Sequence, residues 1–209
     1  VKGRNSIIVA PHPRAKLTNK KICDLMRDAI EKMGAPADLV IAIEIPSLET
    51  TNELMQQCDR VLATGGGAMV TAAYSSGTPA LGVGVGNAVI TVDDTADLDD
   101  AATKIHMSKT LDLAASCSSD NSVILVDSIY EPMLERLKAK GGYLCNAEEK
   151  EKLRNTIWDD EGHLNTAIVA QPAQKIASMA GLDVPETTEF YIVIEDGWGK
   201  DFPFSGEKL

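Results

Sequence analysis

The chain has 209 residues, 44% hydrophobic and 24% charged, which is enough apolar material to bury a core and argues against disorder. Its 31 Asp and Glu against 20 Lys and Arg leave a formal net charge of −11, the wrong sign for binding a phosphate backbone. No apolar run approaches the roughly 20 residues that cross a bilayer, Val1-Lys2-Gly3-Arg4 does not read as a secretion signal, and the cysteines at 23, 58, 117 and 145 form no CxxC and no metal-ligand spacing, so an acidic, cytoplasmic α/β protein without a metal site is expected.

Short apolar runs alternate with helical periodicity, the pattern of a parallel sheet covered by helices. Residues 5–10 predict a buried strand, stopped by Pro11 and Pro13. Ile22, Leu25, Met26, Ala29, Ile30 and Met33 recur at helical spacing, predicting a helix capped by Thr18 or Asn19 and stopped at Gly34. Residues 39–43 read as a second strand, and Ser47 as the cap of a short helix through Leu54 and Met55. A third strand, 60–63, runs into Thr64-Gly65-Gly66-Gly67, and a small-residue helix over 68–76 follows, with Gly77 as its stop. The glycine-rich run 82–87 then leads into a strand at 89–92.

A helix reaching Thr110 is expected to be capped by Thr95 or Asp97, with acids in its first turn where the helix dipole favours them. Residues 111–121 lack apolar periodicity and read as a loop. Beyond it the pattern predicts a strand at 122–127, a helix over 131–140 ending at Gly141-Gly142, and a charged helix over 148–158 capped by Asn146. A short strand at 167–169, a helix opened by Pro172 and ending near Gly181, and a last strand at 190–194 complete the series. No linker, repeat or low-complexity stretch interrupts it. The domain boundary is placed near 110–117, where an Ala/Gly-rich half gives way to a more charged one, giving parts 1–112 and 113–209.

Three features bear on chemistry. The turn Thr64-Gly65-Gly66-Gly67 lies between a strand and a helix, where backbone N–H groups and the helix dipole receive anions; a bare tight turn is the competing reading. Gly82, Gly84 and Gly86 suit either a flat ring lying against backbone or close strand packing. Cys117 sits in Ala114-Ala115-Ser116-Cys117-Ser118-Ser119-Asp120, a small, polar setting that suits an accessible thiolate nucleophile, with a buried free thiol as the alternative. Cys23, Cys58 and Cys145 read as packing residues. His12, His106 and His163 do not cluster, so a Cys-His dyad lacks support.

Ala63-Thr64-Gly65-Gly66-Gly67-Ala68-Met69-Val70, Ala72-Ala73-Tyr74-Ser75-Ser76-Gly77 and Gly82-Val83-Gly84-Val85-Gly86-Asn87 are followed by Met107-Ser108-Lys109-Thr110 and Cys117-Ser118-Ser119-Asp120-Asn121-Ser122-Val123. With Ala10-Pro11-His12-Pro13-Arg14-Ala15 near the start and Phe204-Ser205-Gly206-Glu207-Lys208-Leu209 at the end, this ordered set resembles the acylating, coenzyme-A-dependent aldehyde dehydrogenases. The resemblance includes the aldehyde dehydrogenase half of bifunctional aldehyde-alcohol dehydrogenases and the sulfoacetaldehyde dehydrogenases, and it runs over essentially the whole chain.

The resemblance implies an aldehyde dehydrogenase-like α/β fold: a parallel Rossmann-type sheet with helices on both faces, plus part of an α/β catalytic domain. It makes Cys117 the nucleophile that attacks a small aldehyde. Gly66 and Gly84 would lie against an NAD or NADP cofactor, Glu207 would hold the nicotinamide ribose, and His12 and Pro13 would fall on the adenosine side. Arg14 or Lys16 would meet the 2′-phosphate if the cofactor is NADP. Val83 stands about where hydrolytic members carry the glutamate that activates water, so coenzyme A is the expected acyl acceptor. A hydrolytic enzyme and a non-catalytic nucleotide-binding module are the competing readings. Family members are considerably longer, implying an excerpt of a homo-oligomeric enzyme. Such an excerpt would lack the upstream oxyanion-hole asparagine, so the isolated chain would turn over weakly or not at all.

Overall fold

In the computed structural model, residues 3–84 and 86–206 are described, and the chain divides into two compact units, 1–84 and 85–209. In the first, strand β1 (Ile7–Val9) pairs in parallel with β2 (Val40–Ala42), Ile7 opposite Val40. Parallel neighbours require a crossover, here helix α1 (Lys16–Lys32). Thr18 and Asn19 do not cap α1 but lie within its first turn. The helix grows directly out of a 3-10 turn, Pro13–Ala15, whose proline presets the backbone and whose first N–H groups are served by His12: its Nδ1 accepts from the Arg14 N–H at 3.2 Å. Gly34, with φ +79°, takes the left-handed position that ends the helix.

Helix α2 (Leu48–Gln57) is capped as expected, Ser47 Oγ accepting from the Thr50 N–H at 3.0 Å. Strand β3 (Val61–Thr64), helix α3 (Gly67–Ser75) and strand β4 (Ala80–Val83) form a second parallel β-α-β unit, with Thr64 opposite Val83. Met55, Val61, Ala63 and Ala73 bury its core. The sequence does not announce β4, because glycine is a poor strand signal. Packing selects it: a Cβ at Gly82 would stand 2.7 Å from Val70 Cγ1 and 2.8 Å from Tyr74 Cε2.

The second unit repeats the pattern. Strand β5 (Ala88–Val92) lies parallel to β6 (Asp120–Leu125), joined through α4 (Leu98–Thr110). Asp97 caps α4, its carboxylate accepting from the Asp99 and Asp100 N–H groups at 3.0 and 3.1 Å. Helix α5 (Tyr130–Ala139) leads through Gly141, φ +90°, into β7 (Gly142–Leu144), which pairs in parallel with β8 (Phe190–Ile192). Between them lie α6 (Ala147–Ile157), opened by a capping box of Asn146 and Glu149, and α7 (Ala173–Ala180). Residues 167–169 are not a strand. The Asn165 side chain accepts from the Ala167 N–H at 3.0 Å and winds Thr166–Ile168 into a 3-10 turn, a local bond that overrides the β-branched composition.

Every ladder between named strands is therefore parallel, and the expected α/β class holds. The expected boundary near residue 112 falls inside the second unit, between two strands that pair with one another, whereas the compact units meet at 84/85. No helix among the described residues is long and apolar enough to cross a membrane.

One apolar cluster, Val92, Ala102, Ile105, Ile129, Met133, Leu137 and Phe190, ties β5, α4, α5 and β8 together. Met133 is fully buried at its centre. Met133→Ala is expected to lower unfolding free energy by about 2–5 kcal/mol, seen as a lower denaturant midpoint with an unchanged slope.

Candidate functional site

In the first unit, the features that sequence reasoning singled out collect at the C-terminal ends of strands, the edge where open α/β sheets take ligands. The Gly65 N–H donates to the Val83 carbonyl at 3.1 Å, so the Gly65-Gly66-Gly67 turn and Gly84 leave the β3–β4 pair side by side. Gly66 is the N-terminal cap residue of α3, which has no side-chain cap. A Cβ at Gly66 or Gly67 would meet nothing within 4 Å, and at Gly84 only Val70 Cγ2 at 3.6 Å. The turn thus faces open space with uncapped backbone donors, the arrangement that receives anions. His12 and Pro13 are exposed beyond the end of β1, on the other strand pair, and no hydrogen bond among the described residues joins them to the glycines. Val83 ends β4 with its side chain half exposed. Glu207 lies outside the described residues.

In the second unit the geometry centres on Cys117. After α4 the chain passes through a 3-10 turn, Leu111–Ala114, in which Asp112, Leu113 and Ala114 have φ of 48°, 56° and 61°. Left-handed backbone costs roughly 1–2 kcal/mol for each residue that carries a Cβ, and such strain collects at functional sites. Cys117 follows in a tight turn: Ser116 Oγ and Ser118 Oγ are 2.8 Å apart, and the Ser119 N–H donates to the Ser116 carbonyl at 3.0 Å. The Cys117 side chain is exposed, whereas Ser119 is buried and its hydroxyl has no partner among the described residues.

Two longer bonds bridge this segment. The Asp120 N–H donates to Ser108 Oγ, and Lys109 Nζ donates to Asn121 Oδ1, both at 3.2 Å. Burial holds the Lys109 ammonium below its ordinary range, against the opposing pull of Asp120. Lys109, Ala114 and Asn121 also line a cavity of about 1000 Å³ inside this unit. Sequence reasoning assigned neither Ser108 nor Lys109 a role; their place in Met107-Ser108-Lys109-Thr110, just ahead of the cysteine loop, was the available signal.

The other thiols are packing groups. Cys23 is buried on α1, Cys58 is half-buried with Sγ 3.3 Å from the Arg60 carbonyl, and Cys145 is buried. Burial, reinforced by Glu149, pushes the Cys145 thiol up to about 12. His106 pairs with Glu189 at 2.7 Å and His163 with Asp159 at 3.2 Å, partners the local sequence did not reveal for either.

Parallel β-α-β units with an uncapped glycine turn at the strand ends, and an exposed thiol just after a left-handed run, define an α/β protein with a bare glycine rim and an accessible cysteine. The model of the aldehyde dehydrogenase family matches residues 3–151, a stretch holding Gly66, Gly84 and Cys117, and the chain belongs to that family. It is 49% identical over 216 residues to a sulfoacetaldehyde dehydrogenase of Acholeplasma sp, covering all of this chain and 44% of that protein. It is 46% identical over 211 residues to the bifunctional aldehyde-alcohol dehydrogenase AdhE of Escherichia coli K12, covering all of this chain and 24% of that protein. Among solved structures, an acetylating aldehyde dehydrogenase from Geobacillus thermoglucosidasius matches with a TM-score of 0.94 at 40% identity, over the whole of this chain and 46% of that one. The chain thus spans about half the length, or less, of these relatives.

At neutral pH, iodoacetamide is expected to label Cys117 first, with Cys58 slower and Cys23 and Cys145 protected until the protein unfolds. Peptide mapping over time checks this order.

Proposed function

We propose that the complete protein is an acylating aldehyde dehydrogenase, converting a small aldehyde to an acyl-coenzyme A with NAD or NADP as oxidant. The observation that carries the proposal is the exposed thiol of Cys117 just after a left-handed run, in a chain of this family. The names of the relatives support it, since the Geobacillus protein is described as acetylating and the Acholeplasma protein as a sulfoacetaldehyde dehydrogenase.

In this reading the Cys117 thiolate adds to the aldehyde carbonyl carbon, forming a C–S bond and a hemithioacetal. The nicotinamide cofactor, when bound, supplies the hydride acceptor that turns this adduct into a thioester. The thiol of coenzyme A, giving its proton to solvent, then attacks the thioester carbonyl, the bond to Cys117 Sγ breaks, and the thiolate is regenerated as acyl-coenzyme A leaves. Residues present in the first unit fit the cofactor. The uncapped start of α3 at Gly66 suits an anionic group, and the open space over Gly66, Gly67 and Gly84 admits a flat ring close to backbone. Val83 supplies no base to activate water, so the thioester persists until a thiol arrives. Glu207, His12 and Pro13 are assigned supporting cofactor contacts, and Arg14 or Lys16 a 2′-phosphate where NADP is used.

Function divides near residue 112 in this proposal, with the glycine turn before it and Cys117 after it, although compactness divides earlier. The protein acts in the cytoplasm, where its thiol stays reduced, as a homo-oligomer.

Following NADH or NADPH production from acetaldehyde, propionaldehyde and sulfoacetaldehyde, with and without coenzyme A, tests the proposal. Turnover is expected to require coenzyme A, and Cys117→Ser to lower it by ~1,000-fold or more. Equal rates without coenzyme A would contradict the acylating assignment.

A further inference from the structure

The segment that leads into Cys117 is costly, and the structure shows what flanks it. Asp112, Leu113 and Ala114 are all left-handed. A run of this kind persists only where its surroundings over-determine it. Nearby, β6 carries one residue more than β5 at their shared start: Ala88 lies opposite Asp120 and Val89 opposite Ser122, so Asn121 is the extra residue of a β-bulge. Bulges redirect side chains, and here the Asn121 carboxamide oxygen meets Lys109 Nζ, while the Asp120 N–H meets Ser108 Oγ. Each bond spans twelve residues and encloses the whole cysteine turn, one on each of two consecutive residues at either end.

We propose that Lys109 and Ser108 are positioning residues for Cys117: with Asn121 and Asp120 they clasp the two ends of the 110–119 turn and hold the thiol where it meets the aldehyde. This rests on the assignment of Cys117 as nucleophile. In this proposal each acts through the turn that carries the thiol. Lys109 is half-buried, which strips its ammonium of part of its hydration and draws its ionisation down. The bond to Asn121 offsets part of that cost and gives the half-buried ammonium a fixed partner. Losing the anchor lets the left-handed run relax and moves Sγ, and a displacement of about 1 Å at a reacting atom costs on the order of 100-fold in rate.

The test uses the full protein and four variants. Lys109→Met keeps the stem and removes the donor, Lys109→Arg keeps a donor, Ser108→Ala removes the second bond, and Cys117→Ser is the reference for loss of the nucleophile. Lys109→Met and Ser108→Ala are each expected to lower kcat by about 10- to 100-fold while the cofactor KM stays within about twofold. Lys109→Arg is expected to recover most of the loss. Hydrogen exchange at the Asp120 amide should quicken in Ser108→Ala and Lys109→Met, with exchange in α5 unchanged, a readout independent of turnover. Wild-type kcat in Lys109→Met and Ser108→Ala, or no recovery with Lys109→Arg, would overturn the proposal. If Lys109→Met fails to fold, the Ser108→Ala result decides alone. Retained activity in Cys117→Ser would instead overturn the functional reading beneath it, so the two failures are distinguishable.

Discussion

The left-handed run Asp112-Leu113-Ala114 is the constraint on which the second unit turns. At roughly 1–2 kcal/mol per residue, three such residues consume a sizeable part of a domain's usual margin of about 5–15 kcal/mol. Helix α4 ends at Leu111, whose backbone is extended, and the left-handed run then carries the chain toward the turn of Cys117. What offsets it is rigid on both sides. Upstream, α4 is set by its Asp97 cap and by Ala102 and Ile105 in the apolar cluster with Met133 and Phe190. Downstream, β6 is registered against β5 from Asp120 onward. The buried core thus does more than hold the unit together: it fixes the two ends between which a strained turn can persist.

The first unit solves a different problem, how to leave backbone bare. Side chains are kept off the β3–β4 rim at Gly66, Gly67 and Gly84, while Gly82, one strand position back, is glycine because Val70 and Tyr74 pack on it. The same residue type therefore does two things within a few ångströms: it leaves open space at the rim, and it gives clearance to the protein's own side chains behind it. The net charge of −11 gives an anionic group no general attraction, so in the proposed function affinity for the cofactor comes from local donors such as the start of α3.

Much of this was legible in the sequence where the signal is local. Ser47 and Asn146 cap the helices they are expected to cap, Asp97 rather than Thr95 caps α4, and Gly34, Gly77, Gly141 and Gly181 take the positive φ of helix stops. Strands β4 and β7 were not legible, because each contains a glycine that local propensity reads as a turn and only long-range packing reads as strand. At Gly142 a Cβ would stand 2.7 Å from Ile192 Cδ1 and 2.8 Å from the Leu137 carbonyl. The start of α1 was misplaced because a proline-led 3-10 turn feeds the helix without a side-chain cap at Thr18 or Asn19. At the site, the exposure of Cys117 followed from its small, polar neighbours. The left-handed run and the bulge at Asn121 had no glycine to announce them, and the partner of His106, Glu189, lies 83 residues away.

In the proposed reaction Cys117 carries the acyl group between aldehyde and coenzyme A. Mixing the protein with aldehyde and NAD or NADP in the absence of coenzyme A, quenching in acid and mapping peptides by mass spectrometry tests it directly. The expected result is the mass of one acyl group on the peptide containing Cys117, discharged on adding coenzyme A with recovery of the free thiol. Oxidised cofactor consumed with no acyl group on Cys117, or an acyl group that coenzyme A does not remove, would contradict the account.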